Sequence, residues 1–326
     1  MSLRMLPEWD PHERVWIGFP SDPVAWGEPL AEAQRQIAAF ANAVHDGGRG
    51  ETVHLIAKGA EATARARDLC DDGVIIEDRL IGDIWLRDTG CILAGSGSDR
   101  IARNFGFNGW GNRFDYEGDQ TIGRELAEAA GFPVTDCDWV LEGGSIDVDG
   151  EGLAVTTVDC LLHLNRNPAL DRPAIEALLA RDLGIDRLLW LGDGLANDHT
   201  DGHVDNLARF VAASHLVIPE ARDADDPNAA VYADAQRLAE AFGCKVTALP
   251  SVGRFEQDGE AVPASYMNFY IGNSAVVVPV YGSRYDDAAL SALETLFPGR
   301  KIIGLRADAV LTGGGSFHCS SQQIPI

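Results

Sequence analysis

The feature that most constrains the fold is a loose repetition of short apolar strands and one helix, at a spacing of roughly fifty to sixty residues. Apolar runs rich in Val, Ile and Leu predict strands at 15–19, 53–57, 74–76, 84–86, 92–94, 188–191, 207–211, 215–218, 246–249, 275–280 and 302–305. Apolar residues at helical spacing predict helices at 30–44, 61–69, 122–130, 173–183, 229–242 and 287–296. No linker rich in Pro or Ser interrupts the pattern. We therefore expect an α/β protein of repeated modules around one core, forming a single domain over residues 1–326.

Composition excludes several classes of partner. The 326 residues are 46% hydrophobic and 23% charged, and 50 acidic against 26 basic residues give a formal charge of −24. Nucleic-acid binding needs clustered Lys and Arg, so we expect no nucleic-acid partner, whereas a negative field attracts small cations. No run approaches the ~18 apolar residues of a membrane span, so we expect no membrane partner.

The six cysteines are scattered along the chain without a Cys-x-x-Cys pair. No charged-then-apolar leader precedes them, so we predict free thiols in a reduced cytoplasm. Residues 1–3 have the character of an expression scar. No GxGxxG or Walker pattern supports nucleotide binding.

The stretch 197–206 concentrates titratable side chains, which make up five of its ten residues, and an apolar run follows at once. A loop feeding a strand would place Asp201, His203 and Asp205 on one face, because side chains two apart on a strand share a face. An imidazole between carboxylates suits proton transfer near a cationic substrate. The alternatives are a polar surface turn and, on a helix, a metal-ligand pair of histidines four apart. Gly202 argues against the helix.

Cys319 differs from the other cysteines in its sequence context. It follows three glycines and stands beside a histidine, whereas Cys70, Cys137 and Cys160 have the setting of buried structural thiols. Glycines allow a ligand to approach the backbone closely, and polar neighbours tune a thiol. We therefore expect Cys319 to be a nucleophile that works with a distant histidine.

Two acidic residues complete a candidate site. Glu142 stands before two glycines and Asp88 before a Thr-Gly pair, and each alone resembles an ordinary turn acid. With Cys319 and His203 they come from four distant segments, each at a predicted strand end beside glycine, which is how loops assemble a central site. The stretch 104–111 is too rich in Gly for a strand interior. We expect it to be a loop that either walls a pocket or packs on the core.

Seven motifs follow one another over nearly the whole chain. They are EWDPHE at 8–13, WLRDTG at 85–90, FGFNGWG at 105–111, EGGSID at 142–147, TDGHVDN at 200–206, SYMNFY at 265–270 and GGGSFHCSSQQ at 313–323. Together they resemble the agmatine deiminase family, also called the Porphyromonas-type peptidylarginine deiminase family, of the guanidine-modifying superfamily. The resemblance implies a five-bladed α/β propeller with pseudo-fivefold symmetry, no metal and no organic cofactor.

Carried over position by position, the resemblance makes Cys319 the nucleophile, His203 the general acid/base and Glu142 the partner of that histidine. The residues that it implies beside the substrate are Asp88, Asp205, Trp85, Trp110 and Gly144. The chemistry agrees, because two carboxylates fix a planar guanidinium and a thiolate attacks its central carbon. A free thiol titrates near ~8.5, so either the histidine or the bound cation must favour the thiolate.

The resemblance implies a deiminase that converts agmatine to N-carbamoylputrescine and ammonia. Cys91, His199 and the residues at 316–317 depart from the family pattern that we expect, but none of these departures removes a catalytic group. The alternative substrate is arginine, free or at a peptide terminus, and Arg113 is a candidate partner for its carboxylate. A homo-oligomer is compatible with this interpretation.

Two other classes of protein remain as alternatives. A metallohydrolase would use His199, His203 and Asp205 as ligands, which leaves Cys319 without a role. A guanidino-binding protein without catalysis would leave all the reactive groups unused.

Overall fold

The computed structural model describes residues 3–326, so residues 1 and 2 of the predicted expression scar lie outside the described residues. The strands are β1 (His12–Gly18), β2 (Thr52–Ala57), β3 (Ile75–Asp78), β4 (Ile92–Ala94), β5 (Ile101–Gly106), β6 (Val134–Val140), β7 (Asp147–Val148), β8 (Leu153–Thr157), β9 (Arg187–Leu191), β10 (Arg209–Ala212), β11 (His215–Glu220), β12 (Lys245–Pro250), β13 (Glu256–Gln257), β14 (Glu260–Ala261), β15 (Tyr270–Ile271), β16 (Ala275–Val280), β17 (Lys301–Arg306) and β18 (Ser321–Pro325). The helices are α1 (Pro23–Trp26), α2 (Leu30–His45), α3 (Ala60–Leu69), α4 (Leu86–Thr89), α5 (Gly109–Asn112), α6 (Ile122–Ala129), α7 (Val158–Leu161), α8 (Arg172–Leu183), α9 (Ala229–Phe242), α10 (Asp286–Leu296) and α11 (Asp308–Leu311).

Within the described residues the strands form six sheets, and five of these share one topology. In each of the five, the first strand pairs antiparallel with the second, and the second pairs parallel with the third after a helical crossover. The triplets are β4-β5-β6, β7-β8-β9, β10-β11-β12, β15-β16-β17 and β18-β1-β2, the last extended by β3. The pairing of β18 with β1 places both ends of the chain in one sheet. The sixth sheet is the hairpin β13-β14. The protein is therefore mixed α/β.

The middle strands β8, β11 and β16 are mostly buried because they are covered on both faces, whereas β5 is mostly half-buried. β16 is the clearest case, with five of its six residues buried. Helix α2 packs against β16, and its Phe40 stacks on Phe317 with ring centroids 4.8 Å apart. Phe40 also meets the edge of Tyr270 at 5.7 Å. This aromatic cluster anchors the segment just before Cys319 to the core.

A short helical turn precedes the first strand of every triplet. The turns are Leu86–Thr89 before β4, Gly143–Ser145 before β7, Val204–Asn206 before β10, Tyr266–Asn268 before β15 and a turn at 317–320 before β18. Each turn lies within one of the seven motifs, and four of the five turns contain a candidate site residue, namely Asp88, Gly144, Asp205 or Cys319. The repeated topology therefore determines where these residues lie.

All six predicted helices and most of the predicted strands are present, with small shifts at their ends. The strand predicted at 84–86 is wrong. The Asp83 carboxylate accepts a hydrogen bond from Ile84 N at 2.8 Å, and Leu86 N bonds Ile84 O at 2.7 Å, so the chain turns into α4. Ile84 and Leu86 are fully buried, so their burial in the core, and not pairing in a strand, explains the apolar pattern at 84–86.

The prediction that Asp201, His203 and Asp205 share one strand face is also wrong. Asp201 has φ 61° and Gly202 φ 91°, so the chain turns there, and Val204–Asn206 is a helical turn. The strand begins only at β10. Asp201 consequently points away from His203 and pairs with Arg166 instead.

The prediction that 104–106 are not in a strand is wrong as well, because β5 runs through Gly106. Its pairing with β6 is irregular between Asn104 and Gly106, and such a bulge accommodates a glycine. None of the helices in the described part of the chain combines the length and apolar character that a bilayer crossing requires.

Candidate active site

Hydrogen bonds link the five helical turns into a closed ring. They are Gly144 N to Asp88 Oδ1 (2.9 Å), His203 Nε2 to Glu142 Oε2 (3.1 Å), Asn268 Nδ2 to Asn206 Oδ1 (2.9 Å), Cys319 N to Asn268 Oδ1 (3.2 Å) and Arg87 N to Cys319 O (3.0 Å). Each bond joins turns from two different triplets. Residues far apart in sequence therefore meet around one centre.

The thiol of Cys319 is buried in this centre and held by two polar side chains. Asn268 Nδ2 donates to its sulfur at 3.0 Å, and the sulfur lies 3.4 Å from Asp205 Oδ2. Burial raises the pKa of the Cys319 thiol well above its ordinary value, and the charges of Asp205 and Asp88 raise it further. Without a bound cationic substrate, the neutral thiol is therefore the favoured form.

His203 and Glu142 form a buried pair behind the thiol. His203 Nε2 donates to Glu142 Oε2, and Arg166 Nε donates to Glu142 Oε1 at 3.0 Å. Burial would raise the pKa of Glu142, but the hydrogen bond and charge of His203, together with Arg166, hold it below its ordinary value. Burial would lower the pKa of His203, but Asp88, Cys160 and Glu142 raise it well above its ordinary value. These contacts therefore favour the imidazolium form of His203, which can donate a proton.

Asp88 lies on the other side of His203, with its Oδ1 3.7 Å from His203 Nδ1. Gly144 N donates to Oδ1, and Trp110 Nε1 donates to Oδ2 at 3.0 Å. Burial raises the pKa of Asp88, which His203 opposes, while the charges of Glu142 and Asp205 raise it further. A cation placed between the carboxylates would relieve this repulsion.

Asp205 is tied into a second buried network. His318 Nδ1 bonds its Oδ2 at 2.7 Å, and His318 Nε2 bonds Glu8 Oε2 at 2.7 Å. The bond between His318 and Glu8 joins the C-terminal turn to the N-terminal segment, and Arg209 of β10 also donates to Glu8 at 2.9 Å. Burial would raise the pKa of Asp205, but the hydrogen bond from His318 holds it below its ordinary value. Asp205 is therefore an ionised carboxylate.

The reactive groups converge around Gly144. A Cβ at this position would lie 2.5 Å from His203 Nδ1, 3.0 Å from Asp88 Oδ1 and 3.1 Å from Asp205 Oδ2, so only glycine leaves these groups room. Within residues 3–326, His203 Nδ1 and Asp205 Oδ1 are buried polar atoms without a hydrogen-bond partner. Buried polar atoms are normally paired, so both atoms are suited to a polar ligand.

An open cavity, which we call the inner cavity, leads to this centre. Its lining comprises Asp83, Trp85, Asp88, Trp110, Phe114, Tyr116, His199, Thr200, Gly313, Gly314, Gly315 and Cys319. Trp110 is the residue of 104–111 that lines this cavity, and it also packs in the hydrophobic core, so the two predicted alternatives for this stretch both apply to it. Trp85, also singled out from the sequence, forms another wall. Glu142 and His203 lie behind the lining.

The metal set proposed from the sequence is not assembled. His199 lies on the cavity wall, and it does not group with His203 and Asp205 among the ligand clusters of residues 3–326. Glu142, Cys160 and His203 do bring three ligand atoms within 4.8 Å of one another. The Arg166 guanidinium at 3.0 Å from Glu142 opposes a second cation there, so the charge pattern favours the His203 ion pair.

Three contributors were not assigned a site role from the sequence. Asn268 lies in a quoted motif and His318 beside the nucleophile, so position within the motifs was an available signal. Arg166 lies outside all of the motifs, and only its contact with Glu142 identifies it. Cys160, predicted to be structural, lies 3.8 Å from Glu142 Oε2 and thus beside the site.

Comparisons with known proteins agree with this geometry. The profile of the Porphyromonas-type peptidyl-arginine deiminase family matches residues 4–325. An agmatine deiminase from Stutzerimonas stutzeri (strain A1501) is 34% identical over 358 residues, covering 98% of this chain and 95% of its own. A solved structure of an agmatine deiminase of Enterococcus faecalis catalysing its reaction superposes with a TM-score of 0.93 at 30% identity, covering 99% of this chain and 96% of its own. A cysteine-to-serine variant of the C. jejuni agmatine deiminase with substrate bound superposes with a TM-score of 0.91 at 29% identity, with the same coverage. The chain therefore belongs to the Porphyromonas-type peptidyl-arginine deiminase family.

Proposed function

We propose that this protein is an agmatine deiminase, which hydrolyses agmatine to N-carbamoylputrescine and ammonia without a metal or organic cofactor. The observation that carries the proposal is the convergence of Asp88, Asp205 and His203 around Gly144, with the Cys319 thiol against Asp205. The named relatives in the family support the same reaction.

The guanidinium of the substrate lies between Asp88 and Asp205. Its planar N–H donors match carboxylate oxygens, and Asp205 Oδ1 is free to accept one. Burial raises the pKa of Cys319, and the charges of Asp205 and Asp88 raise it further. The positive charge of the substrate offsets those two negative charges, so substrate binding favours loss of the thiol proton to solvent. The nucleophile thus forms only when its target is in place.

The Cys319 thiolate then adds to the central guanidinium carbon and gives a neutral tetrahedral adduct. His203 donates its proton to one amino group, and the C–N bond to that group breaks. Ammonia departs, and an S-alkylthiouronium intermediate remains bound to the Cys319 sulfur. Glu142 and Arg166 hold the imidazole in place for this step.

Hydrolysis reverses the proton movement. Neutral His203 takes a proton from water as the oxygen adds to the same carbon. The C–S bond breaks, the hydroxyl proton is released, and the ureido product leaves. Cys319 regains a proton when the neutral product no longer offsets the two carboxylates.

The inner cavity favours agmatine over arginine. Its lining within residues 3–326 includes two carboxylates and four aromatic side chains but no Lys or Arg. Arg113, the sequence candidate for a carboxylate partner, instead donates to His199 O at 2.6 Å and to the Asp201 carboxylate. An arginine carboxylate would enter without a cationic partner, which is costly.

The same proposal includes the arrangement of the five triplets as blades of a propeller in one domain. The ring of hydrogen-bonded turns and the shared topology support it, because triplets arranged around one axis would bring their turns into such a ring. A cytoplasmic location and assembly into a homo-oligomer stay predictions.

The nucleophile is tested by Cys319→Ser, with Cys91→Ala as the matched control. Cys91 is equally buried but does not line the inner cavity. We expect Cys319→Ser to lose ammonia release by about a thousandfold or more and Cys91→Ala to keep it. In the wild type, acid quenching and mass spectrometry should find agmatine less ammonia on the peptide that carries Cys319. Activity of Cys319→Ser within tenfold of wild type would contradict the covalent mechanism.

The substrate is tested by measuring ammonia release from agmatine, free arginine and peptides ending in arginine. We expect kcat/KM for agmatine to exceed that for arginine by about a hundredfold or more. A better rate with arginine or a peptide would replace the substrate but keep the mechanism. Activity lost on chelation and restored by zinc would favour the metallohydrolase. Binding of agmatine without turnover would indicate the guanidino-binding protein.

A further inference from the structure

Asp83 is a carboxylate in the inner cavity that the mechanism does not use. Its Oδ1 accepts hydrogen bonds from Trp26 Nε1 at 3.1 Å and Ile84 N at 2.8 Å, and its Oδ2 accepts one from Trp85 Nε1 at 2.9 Å. A carboxylate has about four acceptor positions, so Oδ2 can take one more donor. All three of these donors are neutral.

No cationic side chain within residues 3–326 forms an ion pair with Asp83, whereas the other carboxylates of the site have one nearby. Glu142 pairs with Arg166 and His203, and Asp88 lies 3.7 Å from His203. A shielded carboxylate that has only neutral donors gains from a cation that arrives with a ligand.

Asp83 lies at the junction of two cavities. An outer cavity extends from the inner one toward Trp26, Pro29 and Thr312. The residues that line both cavities are Asp83, Phe114, Tyr116, His199 and Gly313, whereas Cys319 and Asp88 line only the inner one. A chain that enters through the outer cavity and reaches inward to Cys319 therefore passes Asp83.

Trp85 connects the two ends of the inner cavity. Its indole nitrogen bonds Asp83, and a Cβ on Gly315 would lie 2.6 Å from the Trp85 ring and 3.1 Å from Cys319 Cβ. The indole thus spans the wall between the thiol and Asp83. An alkyl chain can follow this wall and bring a group at its far end to Asp83.

The surroundings of Asp83 suit an alkylammonium group. Phe114 and Tyr116 stack with their ring centroids 5.8 Å apart, and the ring centroids of Trp26 and Trp85 are 6.3 Å apart. Aromatic faces attract a cation, and they do so more strongly where water is scarce. The carboxylate supplies the charge and the one remaining acceptor position.

We propose that Asp83 is the specificity-determining residue that binds the primary ammonium at the far end of the substrate. This inference rests on the proposed deiminase function and names what selects among guanidines. It makes the enzyme selective for a guanidinium and an ammonium joined by a flexible alkyl chain. The inner carboxylates then recognise any guanidine, and Asp83 recognises the second cation.

The experiment compares agmatine with an alkylguanidine of the same length that ends in a methyl group. Ammonia release is measured for the wild type, Asp83→Asn and the matched control Asp22→Asn. Asp22 is a neighbouring carboxylate that caps α1 by accepting from Val24 N at 2.8 Å and does not line either cavity. A third variant, Asp83→Glu, keeps the charge but moves it.

In the wild type we expect kcat/KM for agmatine to exceed that for the alkylguanidine by about thirtyfold or more, the scale of a lost paired charge. Asp83→Asn should remove this preference mainly through KM while the alkylguanidine keeps its rate. Asp22→Asn should retain the preference, and Asp83→Glu should retain part of it.

Equal kcat/KM for the two guanidines in the wild type would overturn the assignment even if no variant folds. An unchanged preference in Asp83→Asn, or an equal loss with both guanidines, would overturn it as well. If the wild type releases ammonia from neither compound, the proposed function itself fails. The two failures are therefore distinguishable.

Discussion

Asp83 and Asp88 line the same inner cavity, and each accepts a hydrogen bond from an indole, but they differ in the charges around them. Asp88 lies between the His203 imidazole and the Gly144 amide, within a set of alternating charges that includes Glu142. Asp83 receives only neutral donors. Burial raises the pKa of both carboxyls, to about 6 for Asp83.

Under the proposed roles, this difference separates catalysis at Asp88 from substrate selection at Asp83 within one cavity. A carboxylate next to the histidine and thiol affects every step in which charge moves, so Asp88 should matter for all guanidines. A carboxylate with no ionic partner at the cavity junction affects only ligands that bring a cation there. The following predictions test whether the two roles can be separated.

The largest effect is expected for Asp88→Asn. The amide presents an N–H group where the guanidinium needs an acceptor, and it removes the negative charge beside His203. We expect a loss of about 2–5 kcal/mol in kcat/KM for agmatine and the alkylguanidine alike. Steady-state kinetics with both compounds measure it.

A matched control for this substitution is Asp149→Asn. Asp149 is also buried and accepts from Leu153 N at 3.0 Å, but it lies in the β7-β8 hairpin away from the cavity. We expect this variant to lose stability without losing kcat/KM. If Asp88→Asn lowers kcat/KM for agmatine but not for the alkylguanidine, Asp88 does not act on the guanidinium that both compounds share.

The second prediction adds a methyl group at each end of the cavity. Gly144→Ala places a Cβ among His203, Asp88 and Asp205, so we expect turnover of both guanidines to fall below about a hundredth of wild type. Gly313→Ala places a Cβ 2.7 Å from Trp26 and 2.9 Å from Trp85, the two indoles that hold Asp83.

For Gly313→Ala we expect a rise in KM for agmatine with little change for the alkylguanidine. Gly192→Ala, whose Cβ would meet only the Asp234 carboxylate at 3.2 Å, is the control for the substitution itself. Thermal melting confirms that each variant is folded. If Gly144→Ala turns over both guanidines at wild-type rates, the guanidinium does not bind at the position that we assign to it.

The candidate reactive residues could be selected from the sequence because their chemistry is local, and their catalytic roles stay predictions. Cys319 after three glycines and His203 among acids stand out within a few residues, and both lie in the ring of turns. The helices could be predicted for the same reason, since apolar periodicity is a property of a short window.

The geometry could not be predicted because it depends on contacts between distant segments. The period-two pattern at 201–205 predicted a shared strand face, but Gly202 packs against Gly194 and turns the chain there. Arg166 belongs to no motif, and its role exists only through Glu142 on another segment. Asp83 stands just before a quoted motif, and only the cavity and its two indole partners identify it.

The third prediction concerns pH. The pKa of Asp83 is about 6 because burial raises it, hydrogen bonds from Ile84, Trp26 and Trp85 oppose this, and the charge of Asp22 raises it. Burial raises the pKa of the neighbouring Asp119 to about 7, and the charge of Asp83 contributes. The other titratable groups around these carboxylates are Tyr116, His199, Asp88 and Lys58.

The direction of the change in KM with pH follows from the charges of Asp83 and of the substrate ammonium. A primary ammonium titrates near ~10, so it stays positive while Asp83 becomes neutral as pH falls through about 6. KM for agmatine should therefore rise below that pH, by up to about tenfold per pH unit, and stay flat above it. The ratio of KM values for agmatine and the alkylguanidine cancels changes at the inner end of the cavity. If the KM ratio does not depend on pH in the wild type, or still varies with pH in Asp83→Asn, protonation of Asp83 is not the cause of the rise in KM.

The smallest effect is expected for removal of one indole donor from each carboxylate. Trp26→Phe removes the 3.1 Å bond to Asp83, and Trp110→Phe removes the 3.0 Å bond to Asp88. A hydrogen bond to a charged group stabilises that charge, so Trp26→Phe should raise the pKa of Asp83 further and weaken binding of the ammonium. We expect KM for agmatine to rise by about tenfold or less, with the acidic rise in KM beginning at higher pH, while KM for the alkylguanidine is unaffected.

Trp110→Phe should weaken the binding of both guanidines equally, because Asp88 contacts the guanidinium group that they share. Both variants keep an aromatic ring on the cavity wall, so a difference in selectivity between them reports the lost donor rather than the lost surface. Identical selectivity in the two variants would mean that Asp83 and Asp88 act as one acidic patch.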